Sequence, residues 1–291
     1  MNTDFQERLK ATQSILSGIT IPAQLSIIKD LMAEQAKEDP DMQRITDIIG
    51  SDVRISAATI KRANSPFFGA RGKIGSIQHA VLQLGYRNVF CVVMSLSLQA
   101  ASSFIKGQFM QDFWARSNAV AGAALFLARK LRLTVAPDEA YVAGLFMNCG
   151  IPLLSQRFQD YEEVYSGAQA MAVRKITDIE NEKYGSDHAI VGYVVCKSWD
   201  LPEEHLRCVL LHHDLTAATL QGNEESKKTI DMLTVVKLAE HAVNTIRETP
   251  DVAEWDDISG AVLANAGIDA AKLNSLVADV QEMLEDGGAD F

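Results

Sequence analysis

Asp187-His188-Ala189-Ile190-Val191-Gly192, followed further on by Leu211-His212-His213-Asp214, is the stretch on which the fold turns. Asp187 can cap one helix and Pro202 can open the next, and apolar residues recur in both at helical spacing. His188, Val191, Val195 and Trp199 share one stripe by the 3.6-residue period. Leu206, Val209, Leu210 and His213 do the same in the second helix, with His205, Cys208 and His212 along a neighbouring flank. Two imidazoles, His188 and His213, are thus turned inward, and an aspartate stands beside a histidine in each segment. Two readings stay open for them: hydrogen-bonded core residues, or the surviving half of a histidine/aspartate metal site.

Outward from this pair, almost every segment reads as helix. Residues 4–17 and 22–38 come first, the second opened by Pro22 and closed before Pro40, then 41–49 ended by Gly50. Ser51-Asp52 can cap a helix running to Asn64, where Asn64-Ser65-Pro66-Phe67-Phe68-Gly69-Ala70-Arg71-Gly72 breaks the pattern. Ser76 restarts a helix through Leu84, Gly85 punctuates it, and Tyr86–Ile105 predicts a long apolar helix. Further helices are expected over 113–131, from Pro137 toward Gly150, and over 161–172, 176–184, 229–248, 258–266 and 270–285, with a polar connection over 215–228. Alternating strand patterns are scarce, so the class is all-α.

At 291 residues and 47% apolar composition the chain can bury a substantial core. A net charge of −11 argues against a generic binder of phosphate backbones, because long-range repulsion opposes association. No apolar run approaches a bilayer span, and the first residues offer neither a basic nor an apolar leader segment, so the cytoplasm is the expected compartment. Cys91, Cys149, Cys196 and Cys208 form no C-x-x-C pair and are read as reduced core thiols. Cys208 and His212, four apart, could touch one metal, but no second pair of comparable spacing completes a structural site.

Two stretches carry a resemblance. Ile60-Lys61-Arg62-Ala63-Asn64-Ser65-Pro66-Phe67-Phe68-Gly69 and Ile74-Gly75-Ser76-Ile77-Gln78-His79-Ala80-Val81-Leu82-Gln83-Leu84-Gly85 resemble the HDOD domain, the HD-related output domain of bacterial signalling proteins. The likeness runs on through Ala143-Gly144-Leu145, Asp187-His188-Ala189 and Leu211-His212-His213, about residues 20–214. It implies a multi-helix fold in which an N-terminal bundle, 1–106, joins a degenerate half similar to the HD phosphohydrolases, 107–291. Those enzymes hold metals through a histidine, a His-Asp pair and a later aspartate, and the metal makes a hydroxide for attack on phosphorus. Here Arg116 stands at the first histidine, Met147-Asn148 at the His-Asp pair and Glu240 near the final aspartate. A guanidinium competes with a metal and a thioether is a poor ligand for a hard ion, so neither metal nor cofactor is expected.

Arg116, Asn148, His188, His212, His213 and Glu240 are the candidate ligand pocket, suited to a phosphate-containing molecule held without hydrolysis, or else internally bonded remnants of the fold. Arg62, Asn64, Phe67, Phe68, Arg71 and Lys73 are the candidate partner surface, with a helix-stopping cap as the simpler reading of Asn64 and Ser65. The leading function is a non-catalytic regulatory module that binds a signalling protein or a small ligand. A metal-dependent phosphohydrolase acting on nucleotides or cyclic dinucleotides through His188, His212, His213 and Glu240 is the alternative. A nucleotide or nucleic-acid binder using Arg62, Arg71, Lys73 and Arg87 is the third.

Overall fold

A computed structural model describes residues 3–17, 26–64, 73–86, 89–90, 92–93, 96, 107–171, 174–216, 226–250, 253 and 255–286. Among these residues there is no strand; the chain is all-α. It divides into two compact units, one of residues 1–21 with 107–282 and one of 22–106 with 283–291.

The second of these contains α2 (Ser26–Gln35), α3 (Met42–Gly50), α4 (Val53–Ala63) and α5 (Ile77–Leu84). Asp41 begins α3 by accepting from the backbone N–H groups of Gln43 and Arg44, which would otherwise go unpaired at the helix start. Ile45, Ile48 and Ile49 then fall on one face and are buried. Ser76 caps α5 in the same manner, through the N–H of His79, and Gly85 ends it at φ +78, a left-handed backbone that glycine enters without cost. The chain between α4 and α5 is closed by Asn64. Its Nδ2 donates to Ile60 O and to Ile74 O, both at 2.8 Å, and its Oδ1 accepts from Ile74 N at 2.8 Å. Phe67, Phe68, Arg71 and Arg87, and the side chain of Arg62, lie outside the described residues, as does most of the expected helix over 86–105; Lys73 is exposed.

The larger unit is built on α6 (Gln108–Lys130), which starts five residues before the expected 113; of these Met110 is buried, while Gln108, Gln111 and Asp112 are exposed. Its middle is a run of small buried residues, Ala119, Ala121, Gly122, Ala123 and Ala124. Against it lies α7 (Pro137–Phe146). A methyl group added at Gly144 would come within 3.1 Å of Ala121 Cα, so glycine is what lets the two helices approach this closely. The expected helix from Pro137 toward Gly150 ends at Phe146, and after a turn at 147–150 comes α8 (Ile151–Arg157), a helix the sequence pattern does not announce. Pro152 sits in the first turn of α8, where its missing N–H removes no bond. Then come α9 (Tyr161–Met171), α10 (Ile176–Tyr184), α11 (His188–Ser198), α12 (Glu203–Leu211), α13 (Lys227–Ile246), α14 (Trp255–Ala266) and α15 (Ala270–Asp286). The helix α13 packs on α6, α7, α12 and α14 and is buried along nearly its whole length. Helix α1 (Thr3–Leu16) belongs to this unit. Arg8 donates to Asp187 Oδ2 at 2.5 Å, and the hydroxyls of Thr12 and Ser186 meet at 2.6 Å.

Candidate functional site

The site begins with how α11 starts. Gly185 ends α10 in the left-handed region, φ +75, and two residues later Asp187 accepts from Ile190 N, fixing the first turn of α11 and with it His188. Asp187 is fully buried, and its other oxygen takes bonds from Arg8 and Asn181. His188 is also fully buried. A single oxygen of Glu180, Oε2, accepts from both its backbone N–H, at 2.9 Å, and its ring Nδ1, at 2.7 Å. Tyr161 donates its hydroxyl proton to the other oxygen. Burial alone would lower the pKa of His188, but the Glu180 carboxylate outweighs it and the net shift is upward.

With Nδ1 committed to Glu180, Nε2 of His188 points at Nε2 of His212, 3.3 Å away. His212 gives its Nδ1 proton to Val209 O at 2.7 Å. Burial, then the neighbouring His213 and His188, push its pKa well below the ordinary value, so it is held neutral with a lone pair on Nε2. A proton on His188 Nε2 fills that lone pair. The same Nε2 lies 3.1 Å from the amide oxygen of Asn148, and two acceptors do not bond. Turned over, the Asn148 amide presents an N–H, which competes with the His188 proton for the one Nε2 lone pair of His212. Asn148 is delivered by the 147–150 turn, which is pressed onto α11: a methyl group at Gly150 would sit 2.1 Å from His188 O.

The periodicity reading puts His213 inward and His212 on a flank. Both meet His188, His212 through Nε2 at 3.3 Å and His213 edge-on with ring centroids 5.0 Å apart. The helix ends at Leu211, so both histidines lie in the turn beyond it, where the 3.6-residue period no longer governs; both are buried. Among the described residues, the group of three or more side chains that could hold a metal is His188, His212 and His213, their ligand atoms all within 4.8 Å of one another, and Cys208 is not part of it. His205 points elsewhere, its Nε2 3.2 Å from Glu139 O. Cys149, Cys196 and Cys208 are free and buried; Cys149 and Cys196 approach to 3.4 Å, and burial pushes the Cys208 thiol up to about 12. Cys91 lies outside the described residues.

Arg116 and Glu240 form a second group. Arg116 Nη2 donates to Glu240 Oε1 at 2.9 Å and to Asn244 Oδ1 at 3.0 Å. Glu240 Oε2 accepts from Lys237 Nζ at 2.8 Å, and the side chain of Lys237 is wholly buried. Burial would raise the pKa of Glu240, but Lys237, Arg116 and then His213 hold it far below the carboxylate range. Sequence reasoning passed over Lys237, Glu180 and Tyr161. Lys237 and Glu240 do stand three apart on one helix face, which is a visible signal; nothing in the spacing of Glu180 from His188 announces their contact.

The hydrolytic centre of the HD enzymes does not fit these residues. Its hard-ion ligands include carboxylates, and the carboxylate offered here by Glu240 is bonded on both oxygens by fixed cations. Three imidazoles alone suit a single borderline ion such as zinc, with Glu180 and Val209 O already orienting two of the rings. Binding it would displace the proton that His188 and His212 share.

Comparisons agree with this fold. A solved HDOD domain protein of unknown function from Geobacter sulfurreducens superposes with a TM-score of 0.76 at 21% identity, covering 98% of this chain and 99% of that one. A structure from Marinobacter aquaeolei VT8, assigned provisionally to signal transduction, has a TM-score of 0.75 at 18% identity, covering 99% of this chain and 66% of that one. An uncharacterized protein of Treponema pallidum (strain Nichols) is 26% identical over 203 residues, which is 65% of this chain and 37% of that protein. The chain therefore spans little more than a third of that relative's length. The profile of the HDOD domain matches residues 21–215, and the chain belongs to the HDOD domain family.

Proposed function

We propose that this chain is a non-catalytic signal-transduction module that acts by binding a protein partner or a small ligand. The observation that carries this reading is the state of Glu240, held on one oxygen by Arg116 at 2.9 Å and on the other by Lys237 at 2.8 Å. A carboxylate so engaged is a poor ligand for a divalent ion, and with Met147-Asn148 in place of a His-Asp pair no hard-ion site remains to generate hydroxide. The histidines then serve as a buried polar network that fixes the junction of α8, α11 and α12.

The test is direct. Purified full-length chain is incubated with manganese or magnesium and with nucleotides and cyclic dinucleotides. No turnover above the blank is expected; hydrolysis that a chelator abolishes, and that His188→Ala removes, would overturn the reading.

One observation favours a second reading, a metal-dependent phosphohydrolase: three imidazoles do converge, two of them with hydrogen-bonded Nδ1 atoms. Elemental analysis after purification without chelators separates the two, with close to one equivalent of a transition metal supporting the enzyme.

A further inference from the structure

Arg116 also lines a cleft of about 450 Å³ in the larger unit, in the size range of small-molecule sites. Its walls bring together two kinds of chemistry. Phe109 and Tyr165 stand edge to face, ring centroids 5.7 Å apart and planes at 73°, making a corner in which a flat ring can stack on one side chain and present its edge to the other. Two guanidiniums, Arg116 and Arg247, line the same cleft. Glu240 and Asn244 hold Arg116 in orientation before any ligand arrives. Arg247 is exposed, and among the described residues no carboxylate lies within ion-pair distance of it. The one acidic side chain in the wall, Asp112, accepts from Gln108 at 2.8 Å. Two cations lining one cleft repel each other: partial burial of the Arg247 guanidinium and then Arg116 lower its pKa, while Asp112 raises it. Such an arrangement is relieved by an anion between them.

We propose that this cleft binds a nucleoside phosphate, with the phosphate between Arg116 and Arg247 and the base in the Phe109–Tyr165 corner. The assignment rests on the binding-module reading and names its ligand class and site. A phosphate suits the cleft better than a carboxylate, because it has oxygens enough to give the Arg247 fork a pair and still reach Arg116, whose Nε and Nη2 already serve Asn244 and Glu240. The lining of the cleft contains none of His188, His212 and His213.

The probes are adenosine and guanosine monophosphates, adenosine, and inorganic phosphate, titrated calorimetrically against the full chain. At least one of the two nucleotides is expected to bind saturably at one site. Affinity should fall about tenfold or more for adenosine, for inorganic phosphate and for Arg247→Ala. Asp112→Asn should bind more tightly, because it removes a competing carboxylate, and circular dichroism checks that both variants are folded. Failure of both nucleotides to bind, equal binding by Arg247→Ala, or phosphate alone binding as well as a nucleotide would each overturn the proposal. Product analysis of the same mixtures keeps the two readings apart: hydrolysis sinks the non-catalytic reading, whereas absence of binding sinks only the cleft assignment.

Discussion

Arg116 reaches Glu240 across 124 positions of sequence, from α6 to α13, and closes an ion pair at 2.9 Å in which Glu240 is almost wholly buried. Lys237, one turn before Glu240, takes the carboxylate's other oxygen. Buried ion groups of this kind contribute less than their Coulomb attraction suggests, because each charge gives up its hydration. Their strong effect appears when one member is removed. Glu240→Gln takes away the carboxylate that two cations share and should cost about 3–5 kcal/mol. Lys237→Met leaves Arg116 on Glu240 and fills the same space with an apolar chain, so it should cost less than half as much. Urea denaturation at pH 7 measures both, and a larger loss for Lys237→Met would refute this ranking. The depressed pKa of Glu240 also fixes a pH dependence. Its contribution is present above the ordinary carboxylate value, about 4.3, and is lost as pH falls from there through its own lower value. The gap between the wild-type chain and Glu240→Gln should therefore narrow steadily below about pH 4.3.

His188 and His212 are predicted to titrate in opposite senses. His188 has a raised pKa, so its contribution to stability is full below the ordinary histidine value of about 6.5 and is lost as pH rises through its folded value. His212 has a lowered one, so its contribution is full above about 6.5 and is lost as pH falls through that ordinary value toward its own. Nitrogen-15 NMR of the imidazoles should show His188 protonated on both nitrogens at a pH where His212 carries its proton on Nδ1 alone. Finding His212 the more basic of the two would mean that the Glu180 contact does not control the pair.

The helical class and most helix positions could be read from the sequence because caps and periodicity are local: Asp41, Ser76 and Asp187 act within three residues of themselves. Arg116 could be recognised as hostile to a metal from its charge alone. Its partner could not, because the meeting of Arg116 with Glu240 depends on how α6 and α13 pack. Lys237 was hidden for a related reason. A lysine at helical spacing from a glutamate is ordinarily a solvated pair, and only the burial of α13 by its neighbours makes it an interior one. The place of His212 shows the limit of periodicity: it holds while the helix lasts, and α12 ends one residue before the histidine that the period puts on a flank and the turn brings onto His188.

Asn64 was read either as a helix stop or as part of a partner surface, and its bonds support the first role. Its amide pairs with both the N–H and the C=O of Ile74, ten residues on, as a neighbouring backbone would. Ile74 is buried, so without the amide its polar backbone groups would lose their partner in a poorly hydrated place. Asn64→Ala should cost about 1–3 kcal/mol in a thermal or urea melt. Asn64→Asp keeps the acceptor but loses the donor to Ile60 O and Ile74 O, and it should cost at least as much, since a carboxylate would then face two carbonyl oxygens. A neutral result for both would return Asn64 to the surface-binding class.

Gly150 and Gly192 offer the most stringent test of how the histidine junction is built. A methyl group at Gly150 would lie 2.1 Å from His188 O and 2.9 Å from Gly192 N, both backbone atoms that cannot step aside without moving α11. At Gly192 the obstacles are the ends of side chains, Val209 Cγ1 at 2.9 Å and Cys149 Sγ at 3.2 Å, which can shift. Gly150→Ala should therefore cost about 3 kcal/mol or more, at the upper end for overpacking, and Gly192→Ala about 1–2 kcal/mol. The two differ further in what they disturb. Displacing the start of α11 pulls His188 from Glu180, so Gly150→Ala should abolish the asymmetric titration of His188 and His212, while Gly192→Ala preserves it. Equal losses of stability with both titrations intact would show that the 147–150 turn does not position His188.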